Sequence, residues 1–415
     1  MILGWFFFLP GVFLFKRLFS SKRPVNLKTL FLIPFLSLAI TPVFFFLLSL
    51  INPQSLDFPG LFIKLAVLNF LFFSFSFKKP FPKIKIESKK EVFFLSSVSL
   101  LVTFLILFPY LKNHSGPFWS TYHFGLAGVR DTEKHLGLIN QIREFGLPPQ
   151  NPFILRQPLN YYYFYHLSAA VLSRLAGIRP ELAHLLLSGI ISCCSIFIAS
   201  FFFRPLVTTI LFLGYGFDFF PMIFALLKIH PYPGGLDHLD QWTIPFVQDL
   251  KINPFSVWFP WVPQHSLALF QFLILFGVFF EKIKIEPKFK PLFLSLLLFS
   301  ILGTSFYIFF EILIIFFLYG IFELVKFKKF SFKKYSFFLL ASPFILAFLL
   351  PMLARIKTPS LGLYSFWQLP RDHLFNWQFP KFPVPILIPI LIFFLLERFF
   401  AVSYTHLTLP TIYSV

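Results

Sequence analysis

The chain has 415 residues, 57% of them hydrophobic and 13% charged, with a mean hydropathy of +0.78 and a net charge of +19. This excludes an ordinary soluble domain, in which about 25% of residues are charged, and places the chain among polytopic membrane proteins. Nucleic acid is excluded as a partner, because the cationic residues gather in short loops between apolar runs and line no single face.

Residues 1–15 are apolar, lack a basic leading region and a small-residue cleavage site, and read as a first membrane segment, not a cleaved signal. A basic cluster follows, with Lys16, Arg17, Lys22, Arg23 and Lys28. Segments 29–51 and 60–77 form a hairpin whose turn, 52–59, carries no positive charge and faces out. Six lysines then fall between Lys78 and Lys90, and segment 92–111 crosses next. It leads into an outer loop, 112–160, in which Leu138, Ile139, Ile142 and Phe145 recur at helical spacing. That spacing predicts an amphipathic helix over 132–145 lying on the membrane, with Asp131 as its N-cap and Pro148-Pro149 after its end.

Three apolar stretches follow, 161–177, 182–203 and 206–227, yet both flanking loops are expected outside. An even number of crossings must separate them, so one stretch does not span. The weakest is 206–227, interrupted by Gly214, Gly216, Asp218 and Pro221. Loop 228–265 lies outside, 266–280 crosses inward, and four lysines fall between Lys282 and Lys290. Segment 291–325 is a hairpin around Gly303, followed by five lysines between Lys326 and Lys334. Segment 335–353 exits, 354–382 lies outside, and 383–402 returns. With the four basic clusters on the cytoplasmic side, residues 1–402 form one all-α polytopic transmembrane bundle of about nine to eleven crossings, with amphipathic helices in its outer loops. From Ser403 the composition changes to Tyr-Thr-His-Leu-Thr-Leu-Pro-Thr-Ile-Tyr-Ser-Val. Residues 403–415 read as a non-native tail, translated from a sequencing adapter, with the native protein continuing beyond.

Polar chemistry concentrates in the outer loops. Asp131 and His135 are four residues apart on one side of the expected helix, where they could share a substrate or a metal, and Glu133 favours its dipole. Tyr161, Tyr162, Tyr163 and His166 open the next segment. They suit an aromatic belt, but also a platform for a sugar or for the phosphate of a lipid carrier. Arg156 is either an interfacial arginine or a bidentate phosphate ligand. Gln264 and His265, pinned by two prolines and flanked by tryptophans, either anchor at the interface or hydrogen-bond a diphosphate. Asp218, Asp237 and Asp240 add scattered acids, so no metal is certain and a divalent cation stays open. Glu311 sits inside an apolar hairpin and calls for a partner or a cavity. Cys193 and Cys194 are adjacent in an apolar run and read as small core residues. No Walker loop, Gly-x-Ser-x-Gly elbow, His-Glu-x-x-His or cysteine metal motif occurs, so nothing in the sequence suggests nucleotide hydrolysis or protease chemistry.

The order of these features carries a resemblance. A crossing leads to an outer loop with Asp131 and Glu133, then Pro148-Pro149, the tyrosine-rich entry and Leu175-Ala176-Gly177-Ile178-Arg179-Pro180-Glu181-Leu182. Over roughly residues 92–280 this resembles the GT-C class of membrane glycosyltransferases, which includes the protein O-mannosyltransferases. The tyrosine run is similar to that of a family of uncharacterised prokaryotic membrane proteins named for the motif. The resemblance implies an inverting transfer of sugar from a polyprenyl-phosphate donor to an acceptor on the outer face. It maps the general base to Asp131, with Glu133 second, and leaves Arg156, His135 and His265 to stabilise the leaving phosphate. Three crossings precede the acidic loop here, where simpler members have one. The competing expectation is a transporter or lipid flippase, which predicts polar residues along the crossings and an inverted repeat; no such repeat is evident.

Overall fold

The computed structural model describes residues 6–19, 24–53, 56–86, 88–112, 129–152, 159, 161–213, 263–328 and 332–354. Among them the chain is an all-α bundle: α1 (Leu9–Leu18), α2 (Leu32–Ile51), α3 (Phe58–Ser76), α4 (Lys89–Lys112), α5 (Val129–Phe145), α6 (Phe164–Ala176), α7 (Pro180–Ala199), α8 (Pro205–Leu213), α9 (Pro263–Phe279), α10 (Lys290–Thr304), α11 (Phe306–Phe327) and α12 (Phe332–Ala354). The short strands β1 (Val25–Asn26) and β2 (Ile84–Lys85) pair in parallel. Among the described residues six helical segments are long and apolar enough to cross a membrane: Leu27–Ile51, Phe58–Ser76, Pro180–Ala199, Pro287–Thr304, Phe306–Phe327 and Phe332–Pro351. By contact density the chain divides into two units. The larger comprises Met1–Trp242, Asn253–Phe310 and Ser331–Ala354; the smaller contains α11 from Glu311 onward.

Local chemistry sets the helix limits. Asn26 Oδ1 accepts from Lys28 N at 3.3 Å and starts the helical turn that runs into α2. Asp57 Oδ2 accepts from Gly60 N at 3.1 Å, and Pro59 occupies the first turn of α3, where a missing N–H costs nothing. Gly177 ends α6 at φ +64, and Pro180 opens α7. Cys193 and Cys194 are unbridged; Cys194 is buried as expected of a core residue, Cys193 is only half-buried, and Ser99 Oγ donates to the Cys193 carbonyl at 3.1 Å across the α4–α7 contact.

The basic loops meet at one end of the bundle. Val25 pairs with Ile84, and Lys28 Nζ reaches Glu91 at 3.1 Å and the Ser200 carbonyl at 3.4 Å. Glu286 N donates to the Leu18 carbonyl at 2.9 Å, while Lys79 reaches Glu286 at 3.5 Å. Lys334 lies 4.6 Å from the centre of the Phe279 ring. At the opposite end, Phe46 packs against Phe164, Phe299 and Phe348 with ring centres 5.4–6.0 Å apart. Phe46 is fifteen residues beyond Phe31, whose ring stacks on Phe197 near the basic end, a helical rise of about 22 Å.

Four expectations are corrected. First, α1 has ten residues, a rise of about 15 Å, and is too short to cross alone. Second, 161–177 forms only the thirteen-residue α6, about 20 Å long and too short to cross alone, while 214–227 of the stretch expected to fail lie outside the described residues. Third, the helix expected over 132–145 begins by Val129, so Asp131 sits inside its first described turn and does not precede it as an N-cap. Fourth, α5 does not spread its apolar face on lipid. Leu138, Ile139 and Ile142 are buried in the protein, while Phe145 is 77% exposed. His135 contacts His166 while Arg143 and Glu144 contact Arg174, and this constant offset aligns α5 parallel to α6. An amphipathic face specifies that something apolar must cover it, without specifying lipid or protein.

The expected break near Gly303 is present: α10 ends at Thr304, Ser305 is extended, and α11 starts at Phe306. Of the expected outer loops, 113–128, 214–262 and 355–382 lie outside the described residues, as do the crossing at 383–402 and the tail at 403–415.

Candidate functional site

The end opposite the basic loops holds a buried seam of histidine and tyrosine. Each contributor arrives on a different helix: His135 on α5, Tyr165 and His166 on α6, His184 and Ser188 on α7, Gln264 and His265 on α9. Tyr161 and Tyr162 precede α6, and Ser305 and Tyr307 open α11. Close approach of α6 and α10 aligns them, because Gly303 offers no side chain where the Phe164 ring lies, and a Cβ there would collide with it.

Half of the seam is an imidazole stack. His135 Nδ1 lies 2.8 Å from His166 Nε2, with ring centres 5.1 Å apart, and the His135 ring also faces His184 at 5.7 Å. His135 therefore sits against imidazoles from two other helices. Tyr165 Oη continues the line to His184 Nδ1 at 3.0 Å, the His184 carbonyl at 3.2 Å and Ser188 Oγ at 3.3 Å. His166 Nδ1 is buried without a hydrogen-bond partner among the described residues.

The other half is a hydroxyl–imidazole–hydroxyl relay. Tyr162 Oη lies 3.1 Å from His265 Nε2, and His265 Nδ1 lies 2.7 Å from Ser305 Oγ. Ser305 Oγ in turn accepts from Ile308 N at 3.3 Å and so fixes the start of α11. A neutral imidazole carries one proton, so the two His265 tautomers correspond to opposite directions of donation along this relay. Tyr161 joins the halves: its ring stacks on Tyr162 at 3.9 Å and faces His166 at 6.0 Å.

Burial sets the protonation states. It pushes the His166 imidazole well below its ordinary 6.5, and the cationic forms of His135, His184, Lys134 and His265 around it push the same way. His166 is neutral at pH 7. Burial likewise raises the Tyr162 hydroxyl well above 10.0, reinforced by Tyr161 and Tyr307 and opposed by a hydrogen bond from Gln264. Tyr162 thus offers a hydrogen bond and not a phenolate. Gln264 Oε1 and Ser266 Oγ nearby on α9 are buried without partners among the described residues.

Of the residues expected from sequence, His135, Tyr161, Tyr162, His166, Gln264 and His265 converge in this seam. The Tyr163 ring stacks on Phe348 at 5.8 Å, within the aromatic packing of α6 and α12. Tyr162 and Tyr163 are buried, while Tyr161 has Tyr162 against it and Lys134 Nζ 4.3 Å from its ring centre. Asp131 and Glu133 lie on the first turn of α5, their side chains outside the described residues, and Arg156 is outside them altogether. Asp218, Asp237 and Asp240 are outside them too. Among the described residues no group of three His, Cys, Asp or Glu is arranged to hold a metal ion.

Sequence reading overlooked His184, Ser188, Ser305 and Tyr307, and it took Tyr165 only as part of the aromatic run. A signal existed for His184, a titratable residue within the apolar run 182–203, where polar groups are costly unless paired. Ser305 carried none, since serines are scattered through these helices. Compared with protein-family models, curated proteins and solved structures, the chain matches none, and the chemistry of the seam rests on its own residues.

Proposed function

We propose that the protein is a multi-pass membrane glycosyltransferase. It would move a sugar from a polyprenyl-phosphate donor to an acceptor hydroxyl on the extracytoplasmic face, at the cell membrane. One observation carries the reading. A buried, hydrogen-bonded array of His135, His166, His184, His265 and Tyr162 lies at the end of the bundle away from the basic loops. Aliphatic side chains would serve a purely structural bundle at lower desolvation cost. Asp131 stands one helical turn before His135 on α5.

The reaction is a displacement at the anomeric carbon. Asp131, with Glu133 as the alternative, takes the acceptor proton as its oxygen forms the new bond to carbon. The bond from carbon to the donor phosphate breaks on the opposite side, and its electron pair leaves with the phosphate, so configuration inverts. Arg156 and His135 stabilise that leaving anion, while His265, with both ring nitrogens engaged by Tyr162 and Ser305, acts through Tyr162. Protonated Tyr162, oriented by His265, is a further donor.

The test is a proteoliposome assay with labelled polyprenyl-phosphate sugar. Asp131→Asn should reduce transfer by about 10²–10⁴-fold, the usual contribution of a general base, with membrane insertion unchanged. Transfer at the native rate by that variant removes Asp131 from the mechanism. A carrier reading has one specific support, the Glu311 carboxyl on a spanning helix, whose Oε2 is shielded without a partner among the described residues. Substrate uptake abolished by Glu311→Gln, with no transfer activity in the native protein, would favour it.

A further inference from the structure

At the basic end of the bundle, Arg17 is held in an unusual way. Its guanidinium carbon lies 4.5 Å from the centre of the Phe75 ring and 4.7 Å from that of Phe289; the two rings meet edge-to-face with centres 5.8 Å apart, so the group lies beside an aromatic pair. Among the described residues Arg17 makes no ion pair, and its Nε is shielded from solvent without an acceptor. A guanidinium carries five donors and retains its charge, so a half-buried one without an anion is an incomplete site.

The surroundings are cationic. Lys288 Nζ lies 5.0 Å from the same Phe289 ring. Lys288 and Lys79 share one carboxylate, Glu286, at 3.6 and 3.5 Å. Two lysines therefore share one carboxylate beside the ring that Arg17 contacts. Beside them the segment after α3 alternates exposed apolar and basic residues: Phe77, Phe81, Ile84 and Ile86 are 43–64% exposed, and Lys78, Lys83 and Lys85 lie between them. The site is level with the ends of the spanning segments Phe58–Ser76 and Pro287–Thr304, where lipid headgroups begin.

We infer that Arg17, with Lys79 and Lys288, binds the phosphodiester of an anionic membrane phospholipid. The aromatic pair holds the guanidinium in place, and its N–H groups donate to the phosphate oxygens. The lysines supply the charge that favours an anionic over a zwitterionic lipid, and Phe77, Phe81, Ile84 and Ile86 enter the headgroup–acyl boundary. This site is separate from the histidine seam and does not depend on the glycosyl-transfer reading.

The test uses the full chain, purified and delipidated in neutral detergent, by native mass spectrometry and thermal unfolding with added lipid. Phosphatidylglycerol should bind and raise the unfolding midpoint, phosphatidylcholine much less, and millimolar inorganic phosphate hardly at all. Arg17→Gln should weaken phosphatidylglycerol binding by about five- to tenfold, with partial rescue by Arg17→Lys. The double variant Lys79→Gln/Lys288→Gln keeps the rings intact and gives the same loss if Arg17→Gln does not fold. Native phosphatidylglycerol binding in a folded Arg17→Gln or in the double variant overturns the inference. So does equal binding of phosphatidylcholine, and protection by inorganic phosphate equal to that by lipid would assign the site to a soluble anion.

Discussion

His166 and Tyr162 show how burial assigns roles to side chains whose identity alone leaves them open. His166 has its imidazole held well below 6.5 by desolvation and by neighbouring cations. The folded chain therefore binds fewer protons there than the unfolded chain at pH values below 6.5. Stability is complete above that value and falls as the pH drops toward the depressed folded value. Thermal unfolding should thus show a midpoint that declines on acidification from pH 7.5 to 5.5, a decline reduced in His166→Asn. An equal decline in that variant would place the sensitivity elsewhere. Tyr162→Phe removes the partner of His265 Nε2 and leaves a buried polar atom, at a cost of about 1–3 kcal/mol. If Tyr162 also donates to the leaving phosphate, the same variant lowers the transfer rate without changing donor affinity, which a kcat-against-KM comparison resolves.

Among the elements, α5 illustrates why periodicity is incomplete information. Its apolar stripe is legible in Leu138, Ile139 and Ile142, but the surface that covers it is α6 and α7, distant in sequence. Ile139→Ala should cost about 2–5 kcal/mol through the cavity it leaves. Proteolysis should then cut α5 faster than the spanning helices; uniform protection would show that α5 is held by its polar contacts alone. The contact of α6 with α10 is tested by Gly303→Ala. A methyl group there meets the Phe164 ring, and overpacking costs typically about 1–3 kcal/mol. Since Phe164 begins the helix that carries His166, the His135–His166 contact should loosen as well, visible as a shift in imidazole NMR signals.

At the largest scale, the larger unit has two chemically different ends, and only the pattern of charge was evident beforehand. Basic loops separated by up to about three hundred positions in the chain converge through the contacts of Lys28, Lys79 and Lys334. With that end in the cytoplasm, Lys85→Cys should react with an impermeant maleimide only in inverted vesicles. Labelling in intact cells would reverse the orientation and remove the extracytoplasmic assignment of the seam.

Length and hydropathy by themselves determined the solvent, the helical class and most of the spanning segments, because a bilayer demands long apolar runs whose backbone is satisfied internally. They also marked His135, the tyrosine run and Gln264-His265 as chemistry out of place in lipid. Only tertiary structure decided that α6 is too short to cross, that α5 docks on protein, and that His184, Ser305 and Tyr307 complete the seam. Those outcomes depend on packing between helices far apart in sequence, and a local pattern of apolar spacing carries no record of which partner will cover it.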